Sequence, residues 1–469
     1  MTFYELWTHV LQISALGVHL LGVGNAVHAI LKVRAPQAAI GWAITLVLFP
    51  WVVIPLYWIF GRQKFIGYRR AVFGGSGGEL DTLCEAVCAK LLPFADAPPP
   101  QGDPLIAEMR GNSVELLIDG QETFPAIFEA IDTARSSIVV QFFIIREDAL
   151  GRKLRDRLAA AARDGLKVYL LYDEVGCHTL RPDFFRPLRE AGGQVVPFRT
   201  TRGRGNRFQL NFRNHRKLVV ADGRVALTGG LNVGVEYQGE DPRFGAWRDT
   251  HVRVEGPAVA ALQLAFVEDW HWATGAIPAL DWPEPVSAGD TLIRVAATGP
   301  VDELDRCSLF FLDIVNSARR RLWIASPYFV PDPAAMAALQ LAALRGVDVR
   351  IMLPDKADHQ LPWLSSFSYY DALEAAGIAL YRYRDGFLHQ KVILADDERA
   401  AVGSVNVDYR SFHLNFELGV MTRSPRFAAQ VAAMLEADFA RCRRVDLSEP
   451  YSPWFRGKVR MARLLSPVQ

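Results

Sequence analysis

The feature that most constrains this chain is a spaced set of side chains that occurs twice. Residues 214–222 read NHRKLVVAD and residues 388–396 read LHQKVILAD. In both, a His is followed two residues later by Lys and seven residues later by Asp: His215, Lys217 and Asp222, then His389, Lys391 and Asp396. The register persists downstream. Gly229-Gly230 and Gly403-Ser404 each begin seven residues after the Asp, and Asn232 and Asn406 each follow their His by 17. A lone His-x-Lys carries little information. Five positions in register twice mean that one unit has been built twice.

Each His precedes an apolar run, Leu218-Val219-Val220-Ala221 or Val392-Ile393-Leu394-Ala395, which reads as a buried strand. Alternate residues of a strand share a face, so His215 groups with Lys217 and His389 with Lys391. An ammonium beside an imidazole suits an anion, and the amide of Asn232 or Asn406 can add a hydrogen bond. Two such halves facing each other would hold one phosphate from two sides. Further matches support the duplication: 164–174 with 345–356, 191–198 with 376–383, and 136–144 with 320–329. Each half reads strand, helix, strand, helix, strand and then the motif strand, an α/β sandwich made twice.

These residues resemble the phospholipase D superfamily, whose signature is this duplicated motif. The flanks YDEVG (172–176), WRDTHV (247–252), SPYFVPD (326–332) and GSVNVDYRSFHLNFE (403–417) are similar to bacterial cardiolipin synthases, and the likeness covers nearly the whole chain. The resemblance implies two phospholipase D-like α/β sandwich repeats facing each other, preceded by a two-helix transmembrane hairpin. It implies transfer of a phosphatidyl group through a phosphatidyl-histidine, with His215 as nucleophile and His389 as acid/base. The symmetry of the motifs does not decide that order. Two phosphatidylglycerols would give cardiolipin and glycerol. A membrane-bound phospholipase D, the alternative, would pass the same intermediate to water and give phosphatidic acid.

Phosphodiester exchange needs a nucleophile, an acid for the departing alkoxide and fixed positive charge around phosphorus. Lys217, Lys391, Asn232 and Asn406 are the expected phosphate-holding groups. A nucleophilic His also wants a carboxylate on its second nitrogen. Glu417 lies 28 residues beyond His389, and aligning DTHVRVEG with ELGVMTRS puts Asp249 in the matching place after His215. Asp249 and Glu417 are therefore the expected orienting carboxylates. Asp222 and Asp396 complete the motif just before a turn, where pinning the strand end is the expected role. No cofactor is implied. Lys, His and Asn meet the charge at phosphorus without a metal, and exchanging one phosphodiester for another needs no nucleotide.

The N-terminus is a different material. Residues 11–30 and 38–60 are apolar runs about long enough to cross a hydrocarbon core of roughly 30 Å. Trp7, Trp42, Trp51, Tyr57 and Trp58 suit interfacial belts, and Pro50 and Pro55 predict a kink in the second span. His19, the deepest polar residue of the first span, predicts a contact with the second. No basic residue precedes the first span, unlike a cleaved signal peptide. Lys32 and Arg34 lie between the spans, and Arg62, Lys64, Arg69 and Arg70 follow them. This balance predicts a multi-pass protein of the bacterial inner membrane with residues 61–469 in the cytoplasm.

The remaining boundaries follow from composition. A hairpin over 1–70 precedes a linker over 71–104 that contains one short helix. The first repeat spans 105–275, a Pro-rich linker 276–290, the second repeat 291–444 and a basic, aromatic tail 445–469. That tail could lie on an anionic membrane or pack as a helix. The segment LPWLSSFSYY (361–370) is expected in the core, and Arg199, Arg202, Arg204, Arg207 and Arg213 could collect phosphatidylglycerol. Five scattered cysteines, an odd number, argue against a disulfide framework and fit a reducing compartment. A net charge of +1 gives no general attraction for nucleic acid, which with the anchor disfavours a nuclease. The expected partners are phosphatidylglycerol and membrane lipid, with a homo-oligomer possible. Two complete motifs count against a scaffold without catalysis.

Overall fold

The computed structural model describes residues 3–33, 36–61, 64–74, 78–97, 107–203, 206, 208–446 and 451–464. Arg34, Arg62, Arg204, Arg207, the middle of the stretch 74–78 and part of the stretch 95–104 lie outside the described residues. The chain divides into two compact units, Met1–Gly67 with Thr200–Phe212, and Tyr68–Arg199 with Arg213–Gln469.

In the smaller unit Phe3–Lys32 is a single helix of 30 residues, about 45 Å at 1.5 Å per residue. It is long and apolar enough to cross a membrane. The predicted second span is not one kinked helix. It breaks into Pro36–Leu48 and Pro50–Phe60. Pro50 has no N–H to continue the ladder, and it forces Phe49 out of the helical region to φ −132°, ψ 53°. Small residues bring these helices together. Ala26, Ala29 and Ala39 are buried with Leu46, Ile54 and Tyr57, and a Cβ on Gly22 would fall 2.5 Å from the Leu46 carbonyl oxygen. His28 Nδ1 bonds Tyr57 Oη at 2.7 Å, and Trp58 Nε1 donates to Asn25 Oδ1 at 3.0 Å. His19 does not make the predicted contact. It lies nine residues before His28, roughly half a revolution around the helix, and its Nδ1 bonds the Ala15 carbonyl of its own helix at 2.9 Å. Part of the arginine-rich loop belongs to this unit: Phe208 packs on Trp58 with ring centroids 5.0 Å apart, and Phe212 stacks on Phe65 at 5.2 Å.

The larger unit is organised by one continuous sheet in which Met109–Ile118 and Thr291–Thr298 pair antiparallel at the centre. Outward from the first run Thr250–Glu255, Val225–Gly229, Leu218–Ala221, Ser137–Phe142, Lys167–Asp173 and Gln194–Phe198. Outward from the second run Asn415–Arg423, Arg399–Gly403, Val392–Ala395, Arg321–Ala325, Asp348–Pro354 and Ala379–Tyr383, with Cys442–Arg444 as an added edge. The order is the same on both sides, so the halves are related by an approximate two-fold through the central pair. Each half has its own core. In the first, Leu154 and Leu158 of helix Ala149–Arg163 pack with Ile138, Val140 and Leu170. In the second, Leu339 of helix Pro333–Leu344 packs with Ile324, Ile351 and Leu353.

The tail forms helix Pro453–Leu464, which buries Val459 and Ala462 and sets Phe455 against Phe367 at 5.1 Å and Trp363 at 6.3 Å. The aromatic stretch 361–370 is thus its seat, and Trp454, Met461 and Leu464 stay exposed.

His413 ties two helix starts in the second half. Asp332 caps Pro333–Leu344, accepting from Ala335 N–H at 2.7 Å, and meets His413 Nε2 at 3.1 Å. Asp305, just before Arg306–Ser317, lies 3.6 Å from His413 Nδ1. Burial opposes charge on His413, but hydrogen bonds to the two carboxylates outweigh it and raise its pKa. A raised value means the stabilisation is complete below the unfolded value of about 6.5 and is lost as pH rises through the folded value. Replacing His413 with Gln is expected to lower the melting temperature below about pH 6.5 and to matter progressively less at alkaline pH. Melts of both proteins across pH check this, and a difference that does not change with pH would contradict it.

Candidate active site

The motif histidines do not lie within strands. His215–Lys217 occupy an irregular step between Arg213–Asn214 and Leu218–Ala221, and His389–Lys391 one between Phe387–Leu388 and Val392–Ala395. Each short entry strand pairs with the other half. Arg213–Asn214 runs parallel to Asn415–Phe416, and Phe387–Leu388 runs parallel to Trp247–Arg248. His215 N–H then donates to the Phe416 carbonyl at 2.9 Å, and His389 N–H to the Arg248 carbonyl at 2.8 Å. Because both pairings are parallel, the next residues also meet across the two-fold: His215 with Glu417 and His389 with Asp249.

His215 Nδ1 lies 3.0 and 3.1 Å from the Glu417 oxygens, and His389 Nδ1 lies 2.7 Å from Asp249 Oδ2. The spacing had matched each carboxylate to the His of its own half, and the structure exchanges them. Lys217 Nζ donates to the His215 carbonyl at 2.6 Å. Lys391 Nζ donates to the His389 carbonyl and sits 3.0 and 3.1 Å from the two ring nitrogens. Asn232 Oδ1 accepts from Ile144 N–H at 3.1 Å, while its amide donates to Tyr237 Oη at 3.3 Å. Asn406 is buried, and its Oδ1 has no hydrogen-bond partner among the described residues. Phe143 lies 5.1 Å from the His215 ring, and Trp247 lies 5.1 Å from that of His389.

The two motifs share one electrostatic site. Burial pushes the His215 pKa down, with Lys217 and Lys391 acting the same way against Glu417. Burial and then Lys391 push His389 well below the ordinary histidine value, and Lys217 and His215 add to this. Burial likewise holds Lys217 well below an ordinary lysine and brings Lys391 to about 8. The carboxylates diverge. Burial raises Asp249. Burial also opposes charge on Glu417, but His215, Lys217 and Ser404 bring it below its usual value.

The lowering of Glu417 comes first from His215 and then Lys217, and a neighbouring hydroxyl adds to it. Ser404 Oγ donates to Glu417 Oε2, and Asn415 Nδ2 donates to Oε1 at 3.1 Å. The matching position in the first half is Gly230, where a Cβ would fall 2.0 Å from Asp249 Oδ1. Sequence reading did not assign Ser404 a role. The one mismatch in the register, Gly230 against Ser404, was the available signal.

Asp222 and Asp396 have φ 55° and 56°, a left-handed conformation that short polar side chains tolerate. The Asp222 carboxylate accepts the N–H groups of Arg135, Ser136 and Ser137 at 2.8, 2.8 and 3.0 Å. Asp396 does the same with Arg319, Arg320 and Arg321 at 2.9, 2.7 and 3.1 Å. Burial opposes charge on both, but these donors hold them below the usual carboxylate range. Each fastens the end of the motif strand to the start of its neighbour.

Residues 127–240 and 311–439, together just over half of the chain, match the family described as "Cardiolipin synthase, PLD-like domain". The chain belongs to the cardiolipin synthase family of phospholipase D-like proteins. It is 45% identical over 486 residues to cardiolipin synthase A of Pseudomonas aeruginosa strain LESB58, covering 98% of this chain and 96% of that one. It is 45% identical over 466 residues to cardiolipin synthase A of Pseudomonas syringae pv. syringae strain B728a, covering 96% and 97%. Among solved structures, phosphatidylserine synthase of Haemophilus influenzae Rd KW20 aligns with a TM-score of 0.58 at 14% identity, over 82% of this chain and 100% of that one. That likeness shows the fold.

For this member of the cardiolipin synthase family, Glu417→Gln and Asp249→Asn keep the side-chain shape and remove the charge facing each imidazole. Each is expected to lower phosphodiester turnover about a hundredfold or more while circular dichroism shows a folded protein. Full turnover in Glu417→Gln would contradict an orienting role for that contact.

Proposed function

We propose that this protein makes cardiolipin by moving a phosphatidyl group from one phosphatidylglycerol to another. The observation that carries this reading is a pair of buried His–carboxylate contacts, each made across the two-fold, with Lys217 and Lys391 beside them. His215, held by Glu417 through Nδ1, attacks phosphorus through its other nitrogen. The bond to the headgroup glycerol breaks, and His389 gives that glycerol its proton. The phosphatidyl group is left on His215. A hydroxyl of the second phosphatidylglycerol then loses its proton to His389 and attacks phosphorus, releasing His215. One phosphodiester replaces another, so no energy source is consumed.

The order of the histidines is supported by the carboxylates. Glu417, the more firmly ionised of the two, faces the ring that becomes cationic on phosphorylation. Lys217, Lys391, Asn232 and Asn406 hold the phosphate oxygens. Burial, and then repulsion from Lys391, favours the neutral form of His389 although Asp249 lies 2.7 Å from its Nδ1. An arriving phosphodiester anion offsets that repulsion and lets it carry the proton it must donate. Asp222 and Asp396 act by fixing the motif strands.

The hairpin at the N-terminus, as two spans, holds the protein in the bacterial inner membrane with the larger unit in the cytoplasm. The face of the C-terminal helix carrying Trp454, Met461 and Leu464 beside Arg456, Lys458 and Arg460 suits an anionic lipid surface.

Purified protein in phosphatidylglycerol vesicles is expected to yield cardiolipin and glycerol in equal amounts. His215→Ala and His389→Ala should each reduce both products by about a thousandfold or more. Phosphatidic acid with glycerol in place of cardiolipin would support hydrolysis instead, and unchanged turnover in His215→Ala would overturn the mechanism.

A further inference from the structure

Tyr68 is the first residue of the larger unit and lies eight residues beyond Phe60, where the last apolar N-terminal helix ends. Its side chain is buried. The hydroxyl donates to Asp269 Oδ1 at 2.8 Å, and the ring lies 4.8 Å from that of Phe416. Asp269, on helix Ala258–Thr274, is fully buried. Its other oxygen accepts from Gln141 Nε2 at 2.7 Å, Asn214 Nδ2 at 2.8 Å and Arg216 Nη1 at 3.0 Å. Asn214 and Arg216 are the residues on either side of His215. Arg216 also donates from Nε to the Glu417 carbonyl at 3.2 Å and from Nη2 to the Thr298 carbonyl at 3.2 Å.

One buried carboxylate therefore gathers four donors, and the backbone around His215 and Glu417 hangs from two of them. The second half repeats the device without the tyrosine. Asp438, on helix Pro425–Ala440, accepts from Gln390 Nε2 at 2.7 Å and from Arg248 Nε at 2.8 Å. Gln390 is the residue between His389 and Lys391, as Arg216 is between His215 and Lys217. Among the described residues, a tyrosine hydroxyl hydrogen-bonds Asp269 in the half that bears the proposed nucleophile and not Asp438 in the other. A buried carboxylate short of a donor reorients toward those that remain, and here those donors are the segment carrying His215.

We propose that Tyr68 is a positioning residue: through Asp269 it fixes Asn214 and Arg216 so that His215 meets Glu417. The nucleophile is thereby tied to the segment that follows the N-terminal apolar helices. This deepens the functional reading and rests on His215 as nucleophile. A small displacement of a reacting group lowers the rate of the chemical step more than substrate binding.

The test uses the full-length protein in phosphatidylglycerol vesicles. Tyr68→Phe keeps the ring and removes one donor. It is expected to lower kcat roughly tenfold with KM and melting temperature little changed. In an Asp269→Asn background the same replacement should add less than about a further twofold, because both act through one carboxylate. A wild-type kcat in Tyr68→Phe overturns the proposal, as does a loss that follows a lowered melting temperature, or losses that multiply in the double variant. A wild type that turns over no phosphatidylglycerol overturns the functional reading beneath it, an outcome distinct from the others.

Discussion

Two parallel pairings, each only two residues long, decide what this site is. They bring Arg213–Asn214 against Asn415–Phe416 and Phe387–Leu388 against Trp247–Arg248. Parallel register carries each histidine past the end of its pairing to face a carboxylate of the opposite half. Neither half holds a complete His–carboxylate pair by itself. Duplication alone would have made two equal sites, whereas exchange across the two-fold makes one site from both copies. The continuous sheet through Met109–Ile118 and Thr291–Thr298 gives this exchange a rigid frame.

The burial that assembles the site also charges it unevenly. Two lysines and two histidines sit out of water; burial lowers the affinity of each for a proton, and Lys391 lowers that of Lys217 and both histidines further. Such a cluster is costly until an anion joins it. Under the proposed function a phosphodiester supplies that anion, so its binding and the protonation of His389 are coupled. The approximate symmetry is broken beside the carboxylates as well as at Tyr68. Ser404 gives Glu417 a donor, and Gly230 gives Asp249 only room. Identical motifs thereby acquire unlike carboxylates, which two different chemical roles require.

Much of this was legible because it is local or repeated. The strand pattern of each half, the register of the motif residues and the turn positions of Asp222 and Asp396 all follow from spacing. What spacing could not give is partnership. Asp249 and Glu417 stood out as candidates, but parallel pairing between halves assigns each to the other ring. Pro50 suggested a kink and produced a break, because residue 49 is also displaced from helical geometry. His19 was read by depth in the helix when its direction around the helix decides its contacts. Tyr68 carried no repeated signal, Ser404 showed only as a mismatch with Gly230, and the role of Asp269 emerges only where its donors meet in space.

The central claim is that His215 alone bears the phosphatidyl group while His389 moves the proton. Rapid denaturation of the protein during turnover of phosphatidylglycerol, followed by peptide mass mapping, tests it most directly. A phosphatidyl adduct on His215, with His389 unmodified, is the predicted result. An adduct on His389 with His215 unmodified would contradict it.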